Sequence, residues 1–228
     1  MSLKYGLFLG CVVPNRYPGI EAASKKVLPK IGVQLEDLTG ASCCPAPGVI
    51  GSLSRDSWLA LASRNRCLAE RLGLDVLTVC NGCFATLSDA NRELKESSER
   101  RDRVTKLLHG VGLNYVGRVK VKHIAEVLGK EVGSKKIQEH VTKPLSDIKI
   151  AVHYGCHLVK PRVSRNFDNP ENPTVLDELV RALGAESVDY EEKMACCGAG
   201  GGVRSGVPDV SLRMLNEKLA NIQNAKAD

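Results

Sequence analysis

The stretch Lys4-Tyr-Gly-Leu-Phe-Leu-Gly-Cys11 has an echo at Lys149-Ile-Ala-Val-His-Tyr-Gly-Cys156. Each stretch begins with a lysine, continues through a short, mostly apolar run and ends in Gly-Cys. A short apolar run bounded by a glycine turn is typical of a buried strand. We therefore predict two copies of one unit, each opening with a strand that delivers a cysteine to its carboxyl end.

The first copy continues with four more cysteines at defined spacing. Thirty-one residues separate Cys11 from the adjacent pair Cys43-Cys44, and thirty-five more lead to Cys80-Asn-Gly-Cys83. The run Asp75-Val-Leu-Thr-Val ends directly before Cys80, and its composition predicts a second strand that delivers a cysteine. The first copy therefore offers five cysteines.

The second copy repeats this order but stops earlier. Thirty-nine residues separate Cys156 from the adjacent pair Cys196-Cys197. Adding the spacing of the first copy places another Cys-x-x-Cys at about 233 and 236, beyond Asp228. We therefore expect an incomplete cysteine set in the second copy.

Two predicted helices follow the paired cysteines and align at an offset of 153 residues. The first begins after Ser54, a typical N-cap, and ends at Gly73. The second begins at Pro208, since proline favours the first helical position. Both carry apolar residues at helical spacing: Trp58, Leu61, Leu68 and Leu72 in the first, and Val210, Leu212, Leu215, Leu219 and Ile222 in the second.

These patterns predict an α/β fold with short parallel strands, cysteines at the strand ends and covering helices. We assign residues 1–88 to the first domain, 89–147 to a mostly helical connector and 148–228 to a second domain that ends before its Cys-x-x-Cys. Within the connector, residues 91–108 and 121–128 are both predicted to be helical. The basic run 130–136 is interpreted as a solvated face or loop.

The composition of the chain excludes some classes of function. The chain of 228 residues is 43% hydrophobic and 25% charged, as in soluble globular proteins, and carries a net charge of +6. No run approaches the roughly 20 apolar residues that span a bilayer. Aromatic residues make up 4%, too few for a platform that stacks single-stranded nucleic acid. We expect a cytoplasmic protein that does not bind nucleic acid and has no membrane span.

The chemistry of the cysteines points to a metal centre. Nine cysteines in a sequence of this kind favour metal binding over disulfides. Five thiolates in one copy exceed a tetrahedral zinc site and suit an iron–sulfur centre, whose ligands are cysteine thiolates. Cys67 lies inside the first predicted helix and aligns with Ala220, so we interpret it as a packed helix residue rather than a ligand.

The doubled cysteine pattern resembles the CCG-domain family, to which the B subunit of heterodisulfide reductase belongs. The resemblance covers nearly the whole chain, and residues 10–21 are similar to the methanogen type in particular. It is carried most clearly by three stretches: Phe8-Leu-Gly-Cys-Val-Val-Pro-Asn-Arg-Tyr-Pro-Gly-Ile-Glu21, Ala41-Ser-Cys-Cys-Pro-Ala-Pro-Gly48 and Val79-Cys-Asn-Gly-Cys83.

The resemblance implies a catalytic subunit with two noncubane 4Fe–4S clusters, active in methanogenesis. Such a subunit reduces the heterodisulfide of coenzyme M and coenzyme B to two thiols in one-electron steps. Implied partners are a small iron–sulfur subunit, a flavin subunit, a hydrogenase or formate dehydrogenase, and anionic thiol or disulfide coenzymes. The implied ligands are Cys11, Cys43, Cys44, Cys80 and Cys83 for the first cluster, and Cys156, Cys196, Cys197 and two further cysteines for the second.

Histidines and basic residues near the cysteines are candidates for catalysis and substrate binding. His153 and His157 flank Cys156, and a histidine beside a redox centre can protonate a leaving thiolate. The alternative is a core-facing His153 and a loop His157 with no special role. Arginine and lysine suit anionic coenzymes. The candidates, each with ordinary surface charge as its alternative, are Arg16, Lys160, Arg162 and Arg204.

Two other functions stay open. CCG domains also occur in complexes that oxidise 2-hydroxy acids, that couple thiols to fumarate reduction, or that belong to sulfur-oxidising pathways. A non-catalytic zinc scaffold is a different class, and it predicts about one zinc and no sulfide. The identity of the disulfide, the cluster geometry and the partner stoichiometry lie outside what the spacing of cysteines determines.

Overall fold

The computed structural model describes residues 3–46, 48–200 and 202–228. The chain divides into two compact units, Met1–Ile124 and Ala125–Asp228. The predicted boundaries at 88 and 147 stay a prediction, and the segment 89–147 is shared between the two units. The predicted α/β architecture with short parallel strands is confirmed.

The first unit is built on a four-stranded parallel sheet in the order β2-β1-β3-β4. Leu7 on the inner strand β1 pairs with Asp37 on one side and Leu77 on the other. Because all strands run in one direction, their carboxyl ends lie along one edge of the sheet. The strands are β1 (Leu3–Phe8), β2 (Val33–Asp37), β3 (Asp75–Thr78) and β4 (Val121–His123).

The strand β4 corrects one prediction, because residues 121–123 are not helical. Val121 pairs with Val76 and His123 with Thr78 at the open edge of β3. A three-residue strand gains its hydrogen bonds from a neighbour that is distant in sequence, so the local pattern did not indicate it. A short helix α7 (Ile124–Glu126) and a π-helix (Val127–Gly133) follow at once. The second part of the predicted helix and the basic run are therefore helical.

The predicted long helix of the first copy is confirmed. It spans Arg55–Leu72, with the Ser54 hydroxyl accepting a hydrogen bond from the Ser57 amide and Gly73 ending it in a left-handed conformation. Residues 91–108 are helical apart from a break at Ser97. The helices of this unit are α1 (Val12–Arg16), α2 (Pro18–Val27), a 3-10 turn (Leu28–Ile31), α3 (Val49–Leu53), α4 (Arg55–Leu72), α5 (Asn81–Glu96) and α6 (Ser98–His109).

The core of the first unit lies where α4, α5 and α6 pack together against the sheet. Trp58 and Leu59 of α4 and Leu87 of α5 are almost fully buried there. Cys67 belongs to the same cluster at 1% exposure, and burial raises the pKa of its thiol to about 11. This surrounding agrees with the interpretation of Cys67 as a packing residue.

The second unit contains a two-stranded parallel sheet, β5 (Lys149–Ala151) with β6 (Glu186–Val188). The Asp177 carboxylate is its main polar anchor, since it accepts hydrogen bonds from Tyr154, Ser187 and Lys193. The helices are α8 (Ser134–Glu139), α9 (Cys156–Val159), α10 (Arg162–Arg165), α11 (Val175–Ala182), α12 (Val203–Gly206) and α13 (Pro208–Asn224).

Helix α13 begins at Pro208 as predicted, but its apolar stripe is not buried. Leu212 is 55% exposed and Leu219 is 46% exposed, whereas Lys218 is only 5% exposed. The aligned helix α4 packs against α5 and α6, whereas the described helix that packs most extensively on α13 is the short α12. The apolar spacing therefore predicted the helix correctly, and the structure leaves its apolar stripe largely exposed.

Among the described residues, no helix combines the length and the apolar character needed to cross a membrane.

A buried carboxylate joins the three long helices of the first unit. Glu93 of α5 is 8% exposed and accepts hydrogen bonds from Arg55 of α4, with Nε to Oε1 at 3.0 Å, and from Arg100 of α6. The hydrogen bond from Arg55 is the largest of the effects that lower the pKa of Glu93 below 4.5. The bonds stabilise the charged form, so they hold above about pH 4.5 and are lost as the pH falls further.

We predict that Glu93→Gln lowers the free energy of unfolding at pH 7 by about 1–3 kcal/mol, because it weakens the charge-assisted hydrogen bonds from Arg55 and Arg100. Urea titrations followed by circular dichroism at pH 7 and below pH 4.5 measure the difference. The gap between wild type and variant should narrow at the lower pH, where the wild-type carboxylate takes up a proton.

The matched control is Glu96→Gln, one turn further along α5. Glu96 forms an exposed pair with Arg92, which is worth no more than about 0.5 kcal/mol. Equal losses in the two variants would contradict the structural role assigned to Glu93.

Candidate metal centre

The carboxyl edge of the first sheet carries five cysteines. Cys11 follows β1 by three residues, the pair Cys43-Cys44 lies in the loop after β2, and Cys80 follows β3 by two residues. Cys83 lies in the first turn of α5. Parallel strands thus bring together side chains that are up to 72 positions apart in the sequence.

Contacts between sulfur atoms join these cysteines into a pair and a group of three. The Sγ atoms of Cys43 and Cys11 are 3.9 Å apart. The Cys83 thiol is hydrogen-bonded to both Cys44 and Cys80. The structure therefore assembles all five cysteines predicted for the first copy at one edge of the sheet.

The environment lowers the pKa of some of these thiols and raises the pKa of others. The hydrogen bond from Cys83, helped by backbone amides at the start of α5, lowers the pKa of Cys80 to about 6. The same donor lowers the pKa of Cys44, while the pKa of Cys83 is raised by its two acceptors. Loss of hydration raises the pKa of Cys43 to about 11. A cluster of thiols this close favours a bound cation over several free thiolates.

A glycine makes the close approach at this site feasible. Gly10 has a φ of +68°, and a Cβ atom at this position would stand 2.6 Å from the Cys83 sulfur. Any other residue would be strained and would also push Cys83 away. The Gly-Cys turn predicted from the sequence therefore leaves room for the thiol group of a distant cysteine.

Buried polar side chains hold the loop that carries the paired cysteines. The Trp58 indole donates a hydrogen bond to the Pro45 carbonyl at 3.0 Å, and the Thr86 hydroxyl donates to the same oxygen at 3.2 Å. Asn65 accepts from the Ser42 amide at 2.9 Å and donates to the Cys43 carbonyl at 3.1 Å. The backbone on both sides of the pair is therefore fixed by α4 and α5.

The second unit holds three cysteines. Cys156 begins α9 and is exposed, as is Cys196, and Cys197 is half-buried. The Gly198 amide donates to the Cys196 sulfur at 3.4 Å. Gly198 has a φ of +74°, and a Cβ there would lie 2.5 Å from the Ser211 carbonyl oxygen, so this turn also requires glycine.

The predicted catalytic and substrate-binding residues lie mostly on the surface. His153 and Lys160 line one cleft together with Cys156. His153 is exposed and lies beyond the end of β5, so it does not face the core as its alternative required. His157 lies on α9, and Lys160 also forms a 3.4 Å ion pair with Glu171. The other basic candidates, Arg16, Arg162 and Arg204, are all exposed.

The donor chemistry of the first unit fits an iron–sulfur cluster. In residues 3–46, 48–200 and 202–228, no three His, Cys, Asp or Glu side chains are already arranged around a single-ion site. Two thiolates bound to one tetrahedral metal stand about 3.8 Å apart for bonds of about 2.3 Å. The 3.9 Å separation of Cys11 and Cys43 matches that spacing. Five sulfurs are thiolate donors of the kind that iron–sulfur clusters use.

The parallel sheet with cysteines at its carboxyl edge and the repeated cysteine pattern together define a class of cysteine-rich redox domain. A family model described as CCG, cysteine-rich domain, matches residues 5–88 and 150–228. The chain belongs to this family. The resemblance inferred from the cysteine spacing is therefore confirmed.

Among curated proteins, the chain is 56% identical over 225 residues to the B subunit of a ferredoxin/F420H2-dependent CoB–CoM heterodisulfide reductase from Methanosarcina acetivorans. The match covers 99% of this chain and 75% of that protein. The chain is also 32% identical to an 8-methylmenaquinol:fumarate reductase membrane anchor subunit from Wolinella succinogenes, a match that covers 87% of this chain and 68% of that one.

A solved structure shares the fold at much lower similarity. The crystal structure of a hypothetical protein from Helicobacter pylori superposes with a TM-score of 0.68 at 14% identity. The superposition covers 96% of this chain and 39% of that chain.

Sequence reasoning missed the residues that support the paired cysteines. The apolar spacing indicates only that Trp58 is packed, and it does not single out Thr86, Asn65 or Lys218. The sequence does carry one indication of these supporting residues. Asn65 and Lys218 are polar residues at the same aligned position of two amphipathic helices. Polar residues on the buried side of a helix need partners, which the sequence could not identify.

We predict that Trp58→Phe loosens the loop after Cys44, because it removes the indole donor while keeping an aromatic ring in the core. Stability should fall by about 1 kcal/mol, the usual worth of a hydrogen bond. Amide hydrogen exchange measured by mass spectrometry on a peptide covering residues 42–46 should become faster.

Thr86→Val tests the second donor to the same carbonyl. The double variant should exchange faster than either single variant, since Pro45 then loses both donors. Unchanged exchange in the double variant would show that other contacts hold the loop.

Proposed function

We propose that this chain is the iron–sulfur subunit of a disulfide reductase complex, and that its substrate is the heterodisulfide of coenzyme M and coenzyme B. The observation that carries the proposal is the convergence of five cysteine sulfurs at one sheet edge, with two of them adjacent in sequence. The 56% identity to the B subunit of a heterodisulfide reductase supports the choice of reaction.

In this proposal, the thiolates of the two cysteine sets each hold a noncubane 4Fe–4S cluster. A bound cluster would supply single electrons to a substrate disulfide, whose reduction requires two. The residues for the first cluster are Cys11, Cys43, Cys44, Cys80 and Cys83. Those for the second are Cys156, Cys196 and Cys197, together with ligands outside this set.

The surrounding residues would bind and orient the substrate. Lys160 lies beside Cys156 in the same cleft, so its ammonium suits an anionic group of the coenzyme. His153 keeps part of its surface exposed, but the cleft removes enough hydration that this effect, followed by the positive charge of Lys218, lowers the pKa of its ring. At neutral pH its ring is therefore mainly neutral, and it would relay a proton to a product thiolate rather than contribute a permanent charge. Arg16, Arg162, Arg204 and His157 remain candidates for contacts with substrate.

The proposal includes partners, because electrons must reach the cysteine sites from outside this chain. We assign a small iron–sulfur subunit and a flavin subunit to the complex, together with a hydrogenase or formate dehydrogenase as electron source. The location that fits such a complex is the cytoplasm. Co-purification from the native organism tests this assembly.

The relative from Wolinella succinogenes favours a second candidate within the same class. Its name describes a fumarate reductase subunit, and it is 32% identical to this chain. The second candidate is therefore a redox subunit that passes electrons to or from a different substrate. Assays of the purified complex with the mixed disulfide, and with fumarate or a quinol in its place, separate the two.

We predict that anaerobically purified protein contains iron and acid-labile sulfide in equal amounts, about four of each for one filled site and about eight for two. Cys83→Ala should lose at least half of the iron of a one-site protein, because Cys83 contacts two other cysteines.

Iron binding should also quench the fluorescence of Trp58, the single tryptophan, which is hydrogen-bonded to the loop after Cys44.

Cys67→Ala is the matched control, since Cys67 lies in the hydrophobic core. It should keep its iron and sulfide. Zinc without sulfide in the wild-type protein would contradict the redox function and favour the scaffold.

A further inference from the structure

Lys218 of α13 is a buried lysine next to the second cysteine site. It is 5% exposed, and its Nζ donates hydrogen bonds to the carbonyls of Glu192 at 2.9 Å and Lys193 at 3.2 Å. The ammonium also lies 5.3 Å from the centre of the Tyr190 ring. These contacts attach α13 to the loop that leads into Cys196.

This loop contains a strained residue at the point where Lys218 binds. Glu192 has a φ of +54°, in the left-handed region that non-glycine residues seldom adopt. Such backbone persists only where the surrounding structure enforces it, and it is found frequently at functional sites. The Glu192 carbonyl accepts hydrogen bonds from the Lys218 ammonium and from the Ala195 amide, both at 2.9 Å, and these two bonds hold the backbone there.

The first copy uses the same helix position for the same task, but without charge. Asn65 aligns with Lys218 at the offset of 153 residues that also aligns the paired cysteines. It binds the backbone at Ser42 and Cys43 through a neutral amide. A neutral side chain is therefore sufficient to hold the loop, and the charge of Lys218 requires a separate explanation.

The charge of Lys218 is not neutralised by an ion pair. In the part of the chain that the structure describes, its two hydrogen-bond acceptors are carbonyl oxygens and no carboxylate lies within ion-pair distance. The neighbouring Lys193, by contrast, is paired with Asp177 at 2.8 Å. A buried charge is costly unless opposite charge is near.

The opposite charges that act on Lys218 come chiefly from the cysteine site. Burial lowers the pKa of Lys218, and the negative charge of Cys197 is the largest effect in the other direction. Glu192, Cys156 and Cys196 contribute in the same sense. All three cysteines of the second copy therefore lie within electrostatic reach of one ammonium.

We propose that Lys218 gives the second cysteine site a positive potential, which the first site lacks at the aligned position, and that this potential attracts anions to the exposed cysteines of the site. In the metal-free protein these anions are negatively charged thiol reagents. If the proposed function holds, the same charge stabilises the more reduced state of a bound cluster, so the two sites differ in reduction potential.

The test compares two alkylating reagents on the metal-free, reduced full-length chain. Iodoacetate and iodoacetamide both react with the thiolate and both release iodide, but only iodoacetate is negatively charged. The ratio of their rates at one cysteine therefore cancels the ionisation of that thiol and reports the local potential. Peptide mass spectrometry yields the ratio at Cys156 and Cys196, which are both exposed.

We predict that Lys218→Gln lowers this ratio at Cys156 and Cys196 about threefold to tenfold at low salt, because it removes one charge at short range. Glutamine keeps a neutral donor, as Asn65 does in the first copy. Lys218→Arg keeps the charge and should retain most of the ratio. High salt should reduce the difference between variants.

Arg213→Gln is the matched control, since Arg213 is an exposed cation on the same helix. It should leave the ratio within about twofold, as expected for a screened surface charge. An unchanged ratio in Lys218→Gln, or an equal fall in Arg213→Gln, would overturn the inference. Because the assay uses no metal, its failure leaves the proposed function standing. Conversely, absence of iron and sulfide in the wild-type protein would contradict the proposed function but would leave the inferred electrostatic potential at the second cysteine site untouched.

Discussion

Parallel pairing of β1 with β2 and β3 is the interaction on which the first cysteine site depends. The pairing directs three chain segments toward one edge, where the turns that follow carry Cys11, the pair Cys43-Cys44 and Cys80. Helix α5 then adds Cys83 from its first turn. A site assembled this way requires the whole sheet, so its geometry is as stable as the core beneath it.

Loops with adjacent cysteines need more support than the strands supply. Thiol groups close to one another repel when ionised, so the backbone that carries them must be held by other contacts. In the first unit that support comes from Trp58, Thr86 and Asn65, which bind the backbone on both sides of the pair. In the second unit Asp177 fixes Lys193, and Lys218 binds the carbonyls that precede Cys196.

The two copies both use a helix side chain to hold the loop near the paired cysteines, but the charge of that side chain differs. A neutral amide at position 65 and an ammonium at position 218 perform the same backbone task at aligned places. A duplicated unit can therefore keep its fold while its two cysteine sites come to differ in electrostatic potential. This difference is the kind of asymmetry that a two-site electron-transfer protein would use.

The sequence by itself determined the α/β class, the duplication, the five-cysteine set and helix α4 with its cap at Ser54. These features depend on local periodicity, turn chemistry and spacing, which can be read from short segments of the sequence. Only the tertiary structure decided that residues 121–123 form a strand, that the stripe of α13 is exposed, and that Lys218 is buried beside cysteines. Each of these depends on neighbours distant in sequence, because hydrogen-bond partners and burial are properties of the packed molecule rather than of a segment.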